Sequence, residues 1–186
     1  MRRLGLVLVM MVMALVLGSS VALAAVKFGT DGRDVLIGTN SADQLFGKGA
    51  SDFLAGKKQD DVLYGGDGYD AIHGGAVGWG MAPDGRDKLL GGDGPDCMFG
   101  GSQNDVLVGG SGNDEMGFYC YEFIFDTGED IFHGGSGNDF IWSWDYSNDG
   151  QARRDVVFCG SGRDEVLADK LDRLYDCERV QRFGRL

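Results

Sequence analysis

Proline is nearly absent from this 186-residue chain: it occurs twice, whereas glycine occurs 33 times. This ratio excludes collagen-like proteins and proline-rich linkers. Glutamate is scarce as well, with five residues against 24 aspartates. An acidic helical protein would favour glutamate, whereas aspartate together with glycine is typical of turns. The composition therefore predicts one domain rich in turns, with a small appendage at most.

Basic residues are also few, since 17 lysines and arginines stand against 29 acidic residues and give a net charge of -12. Such a charge repels phosphate backbones and anionic lipids. We therefore expect no nucleic-acid partner, and cations are the natural ligands.

Only one long apolar run is present, from Leu4 to Leu17, and it follows Arg2 and Arg3. The small-residue pattern Ala22-Leu23-Ala24 comes after it, so residues 1–25 are predicted to be a secretory signal peptide. An uncleaved membrane anchor is the alternative, but the run is short of the roughly 20 residues that a span requires. We expect a secreted or cell-envelope protein with no membrane span after cleavage.

Cysteine occurs four times, at Cys97, Cys120, Cys159 and Cys177. An even number in an exported protein predicts two disulfides. Three pairings are possible, and we favour Cys97–Cys120 with Cys159–Cys177 because each closes a short local loop. A zinc site is disfavoured, since there is no CxxC pair and neither histidine neighbours a cysteine.

A nine-residue repeat fills most of the chain after Phe28. Its aspartates fall into four groups spaced by nine: Asp34, Asp43, Asp52, Asp61 and Asp70; Asp87, Asp96, Asp105 and Asp114; Asp130 and Asp139; Asp155 and Asp164. Two positions after each aspartate stands an apolar residue, and four to five positions before it stand glycines. The glycines are most complete in residues 65–70, 91–96, 109–114 and 134–139.

Each repeat is predicted to form a turn of about six residues and a strand of about three whose apolar residue points inward. Such short strands are stable only when stacked, and we expect two repeats to make one full coil. The turns then form two columns in which carboxylates approach one another. A cation between them would remove the repulsion, and carboxylate with carbonyl oxygens suits Ca²⁺ better than Mg²⁺. The alternative is that each aspartate only caps its own turn.

The pattern GGxGxDxUx resembles the nonapeptide of the RTX, or haemolysin-type, calcium-binding repeat family, over roughly residues 29–167. The resemblance implies an all-β protein, a right-handed parallel β-solenoid or β-roll, with several Ca²⁺ ions held between successive turns. It also implies candidate ligands, of which the best are Asp70, Asp96, Asp105, Asp114, Asp139 and Asp164, with Asp34, Asp52, Asp87 and Asp130 completing the set.

Several repeats depart from the family pattern. The turns 38–43, 47–52 and 56–61 have lost glycines, and two of them contain lysine, so weak or absent calcium binding is predicted there. Asp155 follows Arg153 and Arg154, whose charges could replace a metal.

The spacing breaks three times, between Asp70 and Asp87, Asp114 and Asp130, and Asp139 and Asp155. These insertions, either longer loops or extra half coils, are rich in aromatics and methionine: Trp79 and Met81; Phe118, Tyr119, Tyr121, Phe123 and Phe125; Trp142, Trp144 and Tyr146. They either pack on the roll, which we favour, or form a surface for a partner. Residues 26–168 are thus predicted to form the roll, and residues 169–186 a C-terminal cap fastened through Cys159.

No enzyme is expected. The repeats leave no room for a catalytic domain, and the two histidines, His73 and His133, occupy the same repeat position at a strand end. Ser111 and Ser136 only fill variable turn positions, and EF-hand spacing is missing. The predicted function is a secreted calcium-binding repeat protein in which Ca²⁺ bridges turns and drives folding, in a structural or surface-associated role. An adhesin-like protein that binds a glycan or a protein through the aromatic insertions is the alternative, and a hydrolase with an unfamiliar site is a third class.

Overall fold

The computed structural model describes residues 23–75, 84–118, 127–145 and 153–183. Throughout these ranges the regular structure is β-strand, so the predicted all-β class is confirmed. In the same ranges no helix is long and apolar enough to cross a membrane. The predicted signal peptide lies almost wholly outside the described residues.

Two parallel sheets of eight strands each form the fold, and successive strands alternate between them. Sheet I contains the odd-numbered strands: β1 Val26–Phe28, β3 Gln44–Gly49, β5 Val62–Asp67, β7 Lys88–Asp93, β9 Val106–Ser111, β11 Ile131–Gly137, β13 Val156–Gly162 and β15 Arg173–Tyr175. Sheet II contains the even-numbered strands: β2 Val35–Ile37, β4 Phe53–Lys57, β6 Ala71–Gly75, β8 Cys97–Phe99, β10 Glu115–Met116, β12 Phe140–Ser143, β14 Glu165–Ala168 and β16 Arg179–Arg182.

Two repeats make one coil, as predicted. Each strand pairs in parallel with the strand two places along the chain, and Gln44 lies opposite Val62, 18 residues later. Across the first insertion the register widens, and Val62 lies opposite Lys88. The repeat therefore sets the register of both sheets, and the predicted parallel β-roll is confirmed.

The core lies between the two sheets and consists of the apolar residues two positions after the repeat aspartates. From Leu45 to Val166 these side chains are completely buried: Leu45, Leu54, Leu63, Ile72, Leu89, Met98, Leu107, Met116, Phe132, Ile141, Val157 and Val166. At the first coil Lys27 takes the inward position, and its ammonium donates a hydrogen bond to the carbonyl of Ile37. The N-terminal end of this narrow core is thereby covered by a polar group.

All three insertions interrupt turns on the same side of the roll, where an even strand leads to the next odd strand. Within the described ranges they add no strand to either sheet. Most of the inserted aromatics, namely Trp79, Tyr119, Tyr121, Phe123, Phe125 and Tyr146, lie outside the described residues, as does Met81. The aromatics at the borders of the insertions pack together outside sheet II: Phe118 lies 6.0 Å from Phe140 between ring centroids, and Trp144 stacks on Phe183 at 5.0 Å.

The C-terminal segment forms a further coil. Strand β15 pairs with β13, and β16 pairs with β14, so each sheet gains one strand beyond the predicted end of the roll at residue 168. The Cys159–Cys177 disulfide joins this coil to the preceding one. Cys97 is also disulfide-bonded, and Cys120, its predicted partner, lies outside the described residues.

Candidate metal centre

The turns that join the two sheets form two columns, one on each side of the roll. Turn column I contains the turns that follow the odd strands: residues 29–34, 47–52, 65–70, 91–96, 109–114, 134–139 and 159–164. Turn column II contains the turns that follow the even strands, including all three insertions. The four turns with complete glycine patterns are therefore consecutive in column I.

Close stacking explains the glycines of column I. Gly110 has a φ of 114°, a conformation that side chains strongly disfavour. A Cβ at this position would collide with the carbonyl oxygen of Gly92 in the preceding turn. Glycine thus lets adjacent turns lie backbone against backbone, with carbonyl oxygens close to the neighbouring turn.

The repeat aspartates form two hydrogen-bonded ladders, one in each column. In each step the Oδ1 atom of an aspartate accepts a hydrogen bond from the backbone N–H of the aspartate one coil earlier. In column I the ladder runs through Asp34, Asp52, Asp70, Asp96, Asp114, Asp139 and Asp164, with N–O distances of 2.7 to 3.0 Å. In column II it runs through Asp43, Asp61, Asp87, Asp105, Asp130 and Asp155, at 2.6 to 2.8 Å.

Both ladders end on residues that were not predicted from the sequence. Asp172 accepts from the N–H of Asp155 at 3.1 Å, and Glu178 accepts from the N–H of Asp164 at 2.9 Å. The signal was available, because Asp172 stands two positions before the partly buried Leu174, as in every repeat. It was missed because the spacing falls to eight residues and no glycine precedes it.

The second carboxylate oxygen, Oδ2, distinguishes the aspartates from one another. It is buried and accepts no hydrogen bond in Asp52, Asp70, Asp96, Asp114, Asp139 and Asp164 of column I, and likewise in Asp61 and Asp87 of column II. A buried carboxylate oxygen with no donor is costly, because burial removes the water that would otherwise solvate it. These atoms therefore call for a positively charged ligand or a proton.

The position of Oδ2 is the same in each of these turns. A Cβ on Gly65 would collide with Oδ2 of Asp70 and lie 2.8 Å from the carbonyl oxygen of Gly91 in the next turn. A Cβ on Gly109 would collide with Oδ2 of Asp114 and lie 2.5 Å from the carbonyl oxygen of Gly134. Each glycine thus leaves a cradle in which a carboxylate oxygen and a carbonyl oxygen of adjacent coils converge.

At the N-terminal end, the turns satisfy Oδ2 themselves. Oδ2 of Asp34 accepts hydrogen bonds from the N–H of Thr30 at 2.5 Å and from its hydroxyl at 2.9 Å. Oδ2 of Asp43 likewise accepts from the N–H of Thr39. The turn-capping alternative therefore describes these two positions, and the contacts of Asp34 set it apart from the other predicted ligands.

Burial raises the pKa of the column I carboxyls from Asp52 to Asp164. Desolvation is the largest cause and backbone hydrogen bonds oppose it; the pKa of Asp96 rises to about 8, with the carboxylates of Asp70 and Asp114 adding to the increase. The pKa values of Asp70, Asp114 and Asp139 rise to about 6 from the same main cause. Without a cation, ionisation of these side chains is less favourable in the folded roll than in water.

Column II contains a second group of buried carboxyls. Burial raises the pKa of Asp61 to about 7 and that of Asp87 to about 8, with contributions from the carboxylates of Asp60 and Asp84. Asp84 lies outside the nine-residue register, in the first insertion, and no sequence signal marks it. Its Oδ1 accepts hydrogen bonds from the hydroxyl of Ser102 at 2.7 Å and the N–H at 3.1 Å.

Of the ten predicted ligands, seven lie together in column I: Asp34, Asp52, Asp70, Asp96, Asp114, Asp139 and Asp164. The other three, Asp87, Asp105 and Asp130, are consecutive in column II. The structure therefore separates the predicted set into two groups on opposite sides of the roll.

The donor set is made of oxygen alone. Among the described residues no three acidic, histidine or cysteine side chains come together in a group that could hold a metal. A cation in column I would therefore be held by carboxylates and carbonyl oxygens together, which is the donor set of Ca²⁺ rather than of zinc or copper. The cradles fit calcium in donor chemistry and charge.

A disulfide replaces the glycine cradle at the C-terminal end of column I. Cys159 is completely buried and takes the position held by glycine in the six earlier turns of the column. It is bonded to Cys177 of the following coil. The last two coils are thus joined covalently.

The two histidines do not form a shared site. His73 lies in β6 of sheet II, buried beside Phe53 and Phe99, and burial lowers its pKa to about 4. His133 lies in β11 of sheet I and stacks on Phe158. A pair of histidines on opposite sheets offers no acid–base constellation.

A family model described as the RTX calcium-binding nonapeptide repeat matches the chain in four copies, at residues 28–63, 46–76, 84–116 and 126–145. Together these segments cover more than half of the sequence. A search of curated proteins gave no match.

Proposed function

Because the chain belongs to the RTX calcium-binding nonapeptide repeat family, we propose that it is a secreted protein in which Ca²⁺ bridges successive turns and drives folding. Calcium binding is the property of the repeat itself. The proposal assigns the ions chiefly to column I and makes them part of the folded structure.

One observation carries this assignment: in four consecutive turns of column I, a complete glycine pattern coincides with a buried Oδ2 atom that has no hydrogen-bond donor and lies beside a carbonyl oxygen of the next coil. The donor pairs of these turns are Asp70 with Gly91, Asp96 with Gly109, Asp114 with Gly134, and Asp139 with Cys159. The same pairing without a complete glycine pattern occurs at Asp61 with Gly74 and Asp87 with Gly100 in column II. Each pair belongs to two coils, so a cation held there links the coils. We propose four calcium sites on the four pairs with a complete glycine pattern.

Folding and calcium binding are coupled in this proposal. The cradles consist of two successive turns, so they exist only when the coils are stacked. A ligand that binds only the folded state stabilises it, and the stabilisation grows with ligand concentration. Extracellular calcium modules bind in the sub-millimolar to millimolar range, and we expect this range here.

The proposed location is extracellular or at the cell envelope, in agreement with the N-terminal signal pattern and the Cys159–Cys177 disulfide. A structural or surface-associated role follows, with no catalysis, since the repeat family is structural. The aromatic insertions give no support to an adhesin-like alternative in the described ranges, because Phe118, Trp142 and Trp144 pack against one another and their neighbours.

Elemental analysis combined with a calcium titration tests the proposal. The purified protein should contain about four calcium ions, and circular dichroism should show cooperative folding as calcium is added. Asp70→Asn should remove at least one ion and move the titration midpoint to higher calcium. Asp67→Asn, which removes the same charge from an exposed residue of the same turn, should leave both nearly unchanged.

Either of two results would refute the proposal. One is a chain with at most one bound ion and a melting curve insensitive to EGTA. The other is an equal effect of Asp70→Asn and Asp67→Asn, because the cations would then respond to net charge rather than to the cradles.

A further inference from the structure

The outer surface of sheet I carries two columns of side chains, which we call face I. One column is Val26, Gln44, Val62, Lys88, Val106, Ile131, Val156 and Arg173; the other is Phe28, Phe46, Tyr64, Leu90, Val108, His133, Phe158 and Tyr175. Twelve of these sixteen side chains are apolar or aromatic. On a soluble protein, a continuous surface of this kind marks an interaction site.

Face I is open to solvent along its whole length. The exposed fractions are 64% for Phe28, 36% for Val62, 39% for Tyr64, 37% for Ile131, 38% for Phe158 and 45% for Tyr175. The outward side chains of sheet II differ, because Ala55, Ala71, His73, Cys97 and Phe99 are buried. The middle of sheet II is therefore covered, whereas sheet I presents its hydrophobic surface.

The aromatic side chains of face I stand against one another. His133 and Phe158 stack with ring centroids 4.8 Å apart, and Phe158 stacks on Tyr175 at the same distance. This distance equals the spacing of strands in a sheet. The flat faces of these three rings cover each other, which leaves little ring surface there for a glycan to stack on.

The charge of face I differs from that of the whole protein. Its two columns contain Lys88 and Arg173 and no acidic residue, although the chain carries a net charge of -12. The carboxylates lie at the sides, in the two turn columns. Two copies can therefore bring their face I surfaces together without placing acidic groups inside the contact.

The dimensions also fit a second copy. Eight strands about 4.8 Å apart, each contributing three residues at about 3.3 Å, give a surface of about 34 by 10 Å. Pairing two such surfaces covers about 340 Å² on each copy, roughly 700 Å² in total, which is below the roughly 1,000 Å² of a stable specific interface and suits a weak, reversible contact. Since both copies have the same strand spacing, their side-chain rows can interdigitate as in two packed sheets.

We propose that face I is a self-association surface, on which two copies of this chain pack sheet against sheet. The small area makes the dimer reversible, with dissociation in the micromolar range or weaker. Because face I exists only in the folded roll, the dimer also depends on calcium if the proposed function is right.

Sedimentation velocity of the purified protein, from low micromolar to near-millimolar concentration and in excess calcium, tests the proposal. The average mass should rise toward that of a dimer. Tyr64→Lys combined with Ile131→Lys should weaken the association by at least about tenfold, since charges opposing each other in an apolar contact are costly. Leu171→Lys combined with Val35→Lys alters an exposed leucine and an exposed valine outside face I and should leave the association unchanged.

Circular dichroism and bound calcium, measured on the same samples, separate this proposal from the previous one. A chain that binds calcium and stays monomeric at every concentration overturns self-association alone. A dimer broken by the face I variant in a protein without bound calcium supports self-association and overturns the calcium proposal. A monomer that is retained on an insoluble polysaccharide through Tyr64 would assign face I to a glycan and overturn the dimer.

Discussion

Without calcium, the roll should be unstable at neutral pH, and mild acid should restore it. Burial raises the pKa of Asp96 from the usual 3.8 to about 8. An acid whose pKa is higher in the folded state binds its proton more tightly there, so protonation stabilises the fold. This stability is complete below pH 3.8 and is lost as the pH rises through the folded-state values of about 6 to 8.

The magnitude follows from the pKa differences, at about 1.4 kcal/mol for each pH unit. Ionising Asp96 in the metal-free fold costs roughly 6 kcal/mol, or about 3 kcal/mol if solvent screening halves it. Asp70, Asp114 and Asp139, with pKa values of about 6, each add about 1.5 kcal/mol on the same basis. The sum of about 7 to 8 kcal/mol is comparable to the whole stability of a typical domain.

The assay is thermal unfolding by circular dichroism in EGTA across pH 5 to 8. The lower limit stays above the sequence isoelectric point of 4.4, where solubility would fall. We expect a cooperative transition near pH 5 that disappears toward pH 8 and returns with calcium. Asp96→Asn, which keeps an oxygen acceptor but removes the charge, should extend the folded range of the metal-free protein to higher pH.

Two outcomes would refute this reasoning. A metal-free protein equally stable at pH 5 and pH 8 would show that the carboxylates are not the source of instability. A protein that requires calcium even at pH 5 would show that calcium does more than neutralise charge.

Three further predictions concern single positions. Gly109→Ala should destabilise the calcium-bound roll by about 1 to 3 kcal/mol, because its Cβ would lie 2.5 Å from a carbonyl oxygen of the next turn. Gly32→Ala should leave the stability nearly unchanged, because its Cβ would meet only a hydroxyl oxygen at 3.7 Å. Thermal melting in the presence of calcium compares the stability of the two variants. Replacing Cys159 and Cys177 by serine should lower the free energy of unfolding by about 3 kcal/mol, because the disulfide joins residues 18 positions apart. The melting temperature should then fall by about 6 to 12 °C. An unchanged melting temperature would count against a stabilising role. Asp172→Ala should destabilise the C-terminal coil, since Asp172 accepts hydrogen bonds from two backbone N–H groups and a serine hydroxyl, and faster amide exchange in β15 would report it.

The repeat register was predictable because one constraint acts on every coil. The inward residue and the aspartate must both recur with each half coil. The nine-residue spacing alone therefore predicted the inward position of Leu63, the turn position of Asp70 and the equivalent residues of the other repeats. The position of the insertions was also accessible, because each one begins after an aspartate of column I and ends before one of column II. Numbering the repeats along the chain shows that every insertion follows an even strand, and this count would have placed all three insertions on the same side of the roll.

Other features depend on contacts that no local pattern reports. Asp84 joins the buried carboxyls of column II only because the chain returns there, and the hydrogen bonds from Ser102 come from another coil. The difference in exposure between the outer surfaces of the two sheets likewise depends on contacts between distant parts of the chain. Tyr64 and Phe99 stand at the same repeat position, yet one is exposed and the other buried, because the middle of sheet II is covered and the outer surface of sheet I is not.

The two carboxylate oxygens of the repeat aspartate explain why aspartate persists where glycine does not. Asp61 and Asp155 belong to turns that have lost glycines, yet both remain in the Oδ1 ladder that joins consecutive coils. That ladder needs only a carboxylate oxygen within reach of the backbone N–H one coil earlier, whatever the shape of the turn. The cradle beside Oδ2 needs only the first glycine of the turn, as at Gly56, Gly91 and Gly109, where a Cβ would collide with Oδ2. Aspartate alone therefore indicates a coil of the roll, whereas aspartate with glycine five positions earlier indicates a turn with room beside Oδ2.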